Sequence, residues 1–170
     1  MSTASPSSRF LITAGYIAML VGAIDPMEGS LLVLPGSGLV ALGTFLGPRA
    51  KRLLTYRLWA FLLVAAGVGG LWSLSIAGGF GGTSGLSNWW GLLILPYLIG
   101  WSIGIWGPGV PRWLPALGLV VGIWYLAIAG MIFRNASLPE EAAGAASVFG
   151  AMGLLTIGGC LYRLRTIVKG

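Results

Sequence analysis

Asp25 and Glu28 stand three residues apart where the first apolar run of the chain ends, and they are two of its four acids. A carboxylate pair at that spacing can hold a proton or a cation, and a carboxyl drawn out of water keeps its proton more tightly. A plainer role fits the same residues. In Asp25-Pro26-Met27-Glu28 they take the N-cap and N3 positions around a proline at N1, which is a capping box with Asp in place of Ser or Thr. Pro35 and Pro96 come next, because each removes a backbone N–H from an apolar segment and frees a carbonyl for an ion, a solute or a side-chain donor. Ser37, inside Gly36-Ser37-Gly38, can satisfy such a carbonyl or join a site. Trp101, Trp124 and Tyr125 fall near the middle of apolar runs, where an indole N–H or phenol O–H needs a partner. They pack between helices or line a cavity. These eight residues are the candidate ligand-binding set.

Much other chemistry is excluded by what the chain lacks. There is no His, so the commonest metal ligand, haem ligand and general base are all missing. Cys160 is the only cysteine and can form neither an intramolecular disulfide nor a CxxC redox pair; it reads as a small apolar residue near the end of the last hydrophobic run. The glycine-rich stretch Gly78 to Gly85 lacks the Gly-Lys-Ser/Thr of a phosphate-cradling loop. An intramembrane enzyme would need an activated nucleophile or an acid–base pair, and the Ser and Thr residues of the spans have no His or Lys beside them. The reading is therefore non-enzymatic, with no catalytic residues, no metal and no cofactor. The net charge of +6 comes from basic residues beside hydrophobic runs, so it reads as a topology signal and not as nucleic-acid binding.

The elements that must position the eight residues follow from composition. Ten basic and four acidic side chains in 170 residues, with 56% hydrophobic residues and 29 glycines, leave little that water would solvate. A helix rises about 1.5 Å per residue and the hydrocarbon core is about 30 Å thick, so a crossing takes roughly 20 mainly apolar residues. Six candidate spans result, near residues 8–24, 26–47, 58–77, 89–106, 114–133 and 142–162. The first apolar run, Phe10 to Ile24, is about 22 Å of helix, so it must borrow Ser7, Ser8 and Arg9 or sit in a thinned bilayer.

Orientation follows from Lys and Arg, which favour the cytoplasmic side. With the N-terminus inside, the inner segments hold Arg9, then Arg49, Lys51, Arg52 and Arg57, then Arg112, then Arg163, Arg165 and Lys169. The outer segments hold Arg134 and all four acids, Asp25, Glu28, Glu140 and Glu141. The expected fold is all-α: one polytopic transmembrane domain of six helices arranged as three helical hairpins, in the plasma (inner) membrane with both termini cytoplasmic. Tyr56, Trp59, Trp106, Trp113 and Tyr162 then lie at the inner interface, and Trp89 and Trp90 at the outer one, as aromatic belts do.

Two further patterns bear on packing. Glycines recur at four-residue spacing, as Gly43 and Gly47, Gly100 and Gly104, and Gly118 and Gly122, a device that lets helix backbones approach. Leu31-Leu32-Val33-Leu34-Pro35 returns 61 residues later as Leu92-Leu93-Ile94-Leu95-Pro96, the mark of a parallel helical-hairpin duplication, and it places a kink within each of the two helices. The leading expectation is a non-catalytic accessory, structural or lipid-binding membrane protein whose partners are lipids, a larger membrane complex or a second copy. The alternative is a small-solute or ion permease with its site at the kinks of the second and fourth helices. A water-accessible cavity reaching both prolines separates the two.

Overall fold

The computed structural model describes residues 5–24, 29–47, 51–78, 92–134 and 140–169, and among these the chain forms six α-helices and no strands. The first helix, α1 (Pro6–Gly22), starts four residues before the apolar run. Ser5 caps it, its hydroxyl oxygen accepting from the Ser8 N–H at 3.2 Å, and Pro6 takes the first position, where no N–H is needed. The helix ends at Gly22, so it holds 17 residues, about 25 Å, and stays shorter than the hydrocarbon core. The second helix, α2 (Ser30–Leu46), begins after Gly29 with no side-chain cap, and the expected capping box at Asp25 and Glu28 lies outside the described residues.

In α3 (Lys51–Ile76) the helix opens seven residues before the expected span, because no Pro or Gly interrupts the chain from Lys51 until Gly67. In α4 (Ile94–Trp106), Pro96 is the third residue. Its missing N–H therefore falls in the first turn, where helices leave N–H groups unpaired in any case, and the kink expected inside this helix has no lost bond to cause it. The fifth helix, α5 (Leu114–Arg134), matches its expected span to within one residue. The sixth, α6 (Glu140–Lys169), runs seven residues past Tyr162, with Arg163 and Arg165 near the negative end of the helix dipole.

Two helices, α3 and α5, are long and apolar enough to cross a membrane, and α2 and α4 are apolar but shorter. The chain divides into two compact units, Met1–Gly109 with α1 to α4 and Val110–Gly170 with α5 and α6. Within the first unit α1 packs chiefly on α2 and α3 on α4, while α2 also meets α3. In the second, α5 packs on α6.

Glycine sets the distance between helices in the first unit. A Cβ added at Gly15 would lie 2.6 Å from Gly36 O, and one at Gly100 would lie 2.7 Å from Val64 N, so backbone rests on backbone at both interfaces. The two prolines of the 61-residue sequence repeat lie beside glycine contacts. Each proline is followed by a residue that packs against a glycine of the preceding helix: Gly36 of α2 against Gly15, and Tyr97 of α4 against Gly67. The small residue has changed sides. Gly43 and Gly104, equivalent by the same offset, are not equivalent in packing, since Gly43 faces Ile12 and Gly104 faces Met19, both on α1.

The buried face of α2 carries Ser30, Val33, Gly36, Ser37, Val40, Ala41, Gly43 and Thr44. Its other side exposes Leu31, Leu32, Leu42, Phe45 and Leu46. Small and hydroxyl-bearing residues thus lie inside and the large apolar ones outside. Large apolar residues are exposed on neighbouring helices too, Phe10 of α1 at 71% and Ile76 of α3 at 88%.

Candidate functional site

The candidate residues from the sequence do not converge on one constellation. Asp25 and Glu28 lie outside the described residues. Pro35 is exposed on α2, which continues through it without a break. Ser37 is buried, and its hydroxyl donates to Leu34 O at 2.8 Å, although the carbonyl that Pro35 leaves without its usual donor is that of Leu31. Pro96 is half-buried in the first turn of α4. Trp101 is buried and its indole N–H donates to Met19 O at 3.2 Å, tying α4 to α1 beside an edge-on contact with Trp106, ring centroids 6.2 Å apart. Trp124 and Tyr125 belong to the second unit. There Trp124 is 46% exposed, while Tyr125 is buried with its ring 5.9 Å from that of Phe149.

The polar centre of the first unit is a residue that reads, in sequence, as a topology charge. Arg57, in the second turn of α3, is only 5% exposed. One terminal nitrogen donates to the Thr44 hydroxyl of α2. The other donates to Gly109 O at 2.8 Å and reaches the Tyr16 hydroxyl of α1 at 3.4 Å. The guanidinium carbon also lies 5.8 Å from the centre of the Tyr16 ring. One side chain thus ties together α1, α2, α3 and the turn after α4.

Local sequence explains how the acceptors reach it. Thr44 sits at the C-terminal end of α2, where its hydroxyl donates to Val40 O at 2.7 Å and so turns a lone pair toward Arg57. Gly109, in Gly107-Pro108-Gly109, has φ of +73°, a conformation that glycine alone adopts cheaply, and this turn presents its carbonyl to the guanidinium. Ser8 closes the same end of the α1–α2 pair by donating to Gly43 O at 2.7 Å.

Burying a cation costs several kcal/mol unless hydrogen bonds or an opposite charge compensate, as a rough scale. The described side chains include no Asp or Glu, and every acceptor that Arg57 meets among them is neutral. Its Nε is buried without a hydrogen-bond partner. Such an arrangement can fix helices and hold a positive potential. Among the described residues no group of three His, Cys, Asp or Glu could hold a metal ion.

Beside this node, on a different face of α3, an open groove of about 500 Å³ is lined by Arg52, Thr55, Tyr56, Trp59 and Ile103. Tyr56 donates its phenol O–H to Ile103 O at 2.9 Å, and its ring occupies the space a side chain at Gly107 would need, with Cζ 2.8 Å from the Cβ position. The wall is held from both helices.

No family model, curated protein or solved structure matches the chain. Function must therefore be argued from the residues alone. Sequence pattern missed Arg57 because a basic residue just before Leu58 has the form of a topology signal; the available hint was Tyr16 and Thr44, polar groups within two neighbouring apolar runs. It missed the groove because Trp59 and Arg52 are ordinary belt and loop residues until Ile103 is brought beside them.

Proposed function

We propose that the chain is a non-catalytic, multi-pass protein of the plasma (inner) membrane that serves as an accessory or structural subunit and holds membrane lipid. The observation that carries this reading is the inverted face of α2, with Gly36, Ser37, Gly43 and Thr44 buried and Leu31, Leu32, Leu42, Phe45 and Leu46 exposed. In water the hydrophobic effect would drive the opposite arrangement. In hydrocarbon, burying leucine gains nothing, while small residues gain close packing and hydroxyls gain hydrogen bonds. Six crossings with both termini on the cytoplasmic side accord with the distribution of Lys and Arg.

The accessory role is favoured over transport by how the mid-helix polar groups are used. A permease site at the two prolines needs donors free to meet a solute, and Ser37 and Trp101 instead donate to the backbone carbonyls of Leu34 and Met19. Native mass spectrometry after extraction in mild detergent tests the proposal. The expected spectrum carries retained lipid, a co-purifying subunit or a second copy of the chain. A bare, lipid-free monomer overturns the accessory role. Solute or ion flux in proteoliposomes that is abolished by Asp25→Asn or Glu28→Gln would establish the permease instead.

A further inference from the structure

We infer that the groove between α3 and α4 is a binding site for an anionic phospholipid of the inner leaflet, its phosphate on Arg52 and its acyl chain along Tyr56, Trp59 and Ile103. This rests on the membrane-accessory reading above and names the class of lipid. Arg52, Thr55, Tyr56 and Trp59 follow one another at helical spacing, so they form a single stripe along α3. The stripe spans eight residues, about 10 Å from first to last, and runs from a cation at one end to an aromatic ring at the other. Its polarity is that of a lipid, with a charged head and a hydrocarbon tail.

The donors of the groove select the charge of its ligand. The Thr55 hydroxyl is committed to Lys51 O at 3.0 Å and the Tyr56 hydroxyl to Ile103 O at 2.9 Å. Arg52 is exposed, and no described residue takes its guanidinium as a hydrogen-bonding or ionic partner. Among the described residues of the wall, the Arg52 guanidinium and the Trp59 indole N–H are the uncommitted donors, and the charged one of the two is a cation whose planar fork of N–H groups matches phosphate oxygens. Trp59 is 61% exposed, as an interfacial indole is when its ring lies against lipid.

Depth agrees with charge. If the apolar stretch from Leu58 to Ile76 fills the hydrocarbon core, Arg52 lies six residues, about 9 Å of helix, beyond its edge. The interfacial layer on each side of the core is roughly 5–8 Å thick, so a side chain from Arg52 that bends back toward the bilayer reaches phosphate level. Tyr56 and Trp59 then bracket the hydrocarbon boundary. The close approach of Tyr56 to Gly107 fixes the groove before any lipid arrives, which lowers the ordering cost of binding.

The test is a lipid titration of the full chain in mild detergent by native mass spectrometry, using phosphatidylglycerol and phosphatidylcholine of identical acyl chains. The wild-type chain is expected to retain phosphatidylglycerol several-fold more tightly than phosphatidylcholine. Arg52→Gln is expected to weaken phosphatidylglycerol about fivefold, the ~1 kcal/mol that one basic residue contributes near an anionic surface, and to weaken phosphatidylcholine, whose phosphate is offset by its own choline cation, by less than about twofold. Lys51→Gln, which removes an adjacent exposed charge outside the groove, should change neither lipid by more than about twofold, since surface charges act weakly at a distance in salt. Trp59→Ala is expected to weaken both lipids alike. Equal binding of the two lipids by the wild type, or equal losses in Arg52→Gln and Lys51→Gln, overturns the site. That failure is distinct from failure of the accessory reading: lipid or subunits retained without selectivity leave the accessory role standing, whereas a chain purified bare that binds added phosphatidylglycerol through Arg52 keeps the site and removes the accessory role.

Discussion

At the contact between α3 and α4, a side chain added to Gly100 would meet backbone, Val64 N at 2.7 Å and Ala60 O at 2.8 Å. At the contact between α5 and α6, one added to Gly122 would first meet the Ile157 side chain at 2.6 Å, with backbone no nearer than 3.3 Å. Buried hydroxyls differ in the same sense. Thr44 of the first unit donates to Val40 O and accepts from Arg57, while Thr156 of the second is fully buried with no hydrogen-bond partner on its Oγ1. The first unit is held by rigid, directional contacts centred on one guanidinium. At Gly122 and Gly153 the second unit is met first by side chains, Ile157 and Leu126, that can shift rotamer. Where hydrocarbon supplies no hydrophobic push, the first kind of contact specifies a structure more sharply.

The difference can be broken by substitution, with thermal unfolding in mild detergent, followed by circular dichroism, as the common readout. Gly100→Val should be the most damaging change, at about 3 kcal/mol, because backbone cannot move aside; Gly122→Val should cost about 1 kcal/mol. Equal losses would erase the distinction. Arg57→Met should cost about 2 kcal/mol, since it strips a charged donor from the Thr44 hydroxyl and the Gly109 carbonyl at once. An unchanged midpoint would mean that the node holds nothing. The smallest effects carry opposite signs for the same chemical change. Thr44→Val should destabilise by about 1 kcal/mol, and Thr156→Val should stabilise by about 0.5 kcal/mol by removing an unsatisfied hydroxyl. Two losses, or two gains, would show that the hydroxyls do not differ as their partners do.

What the sequence made legible follows the range of the forces involved. The fifth helix was readable to within one residue because Leu114 to Phe133 is an unbroken apolar run that stops at Arg134 and Asn135. The start of α1 is legible from a local rule, since Ser5-Pro6 is an N-cap followed by proline at N1. Pro96 has the sequence pattern of a mid-span kink because the apolar residues before it continue upstream, and composition does not mark where the helix begins. The Arg57 node depends on partners 13, 41 and 52 residues away, and no periodicity carries a contact of that kind. Asp25 and Glu28 were legible as a motif, and their role rests on the flux measurement.

The inverted packing and the membrane reading stand or fall together on where the chain crosses. Reporter fusions at the N-terminus, at Thr83, at Ala136 and at the C-terminus test this most directly. Both ends should report from the cytoplasm and both internal fusions from the opposite face. Ends on opposite faces, or all four positions on one face, would contradict six crossings and remove the lipid-facing surface from which the function is argued.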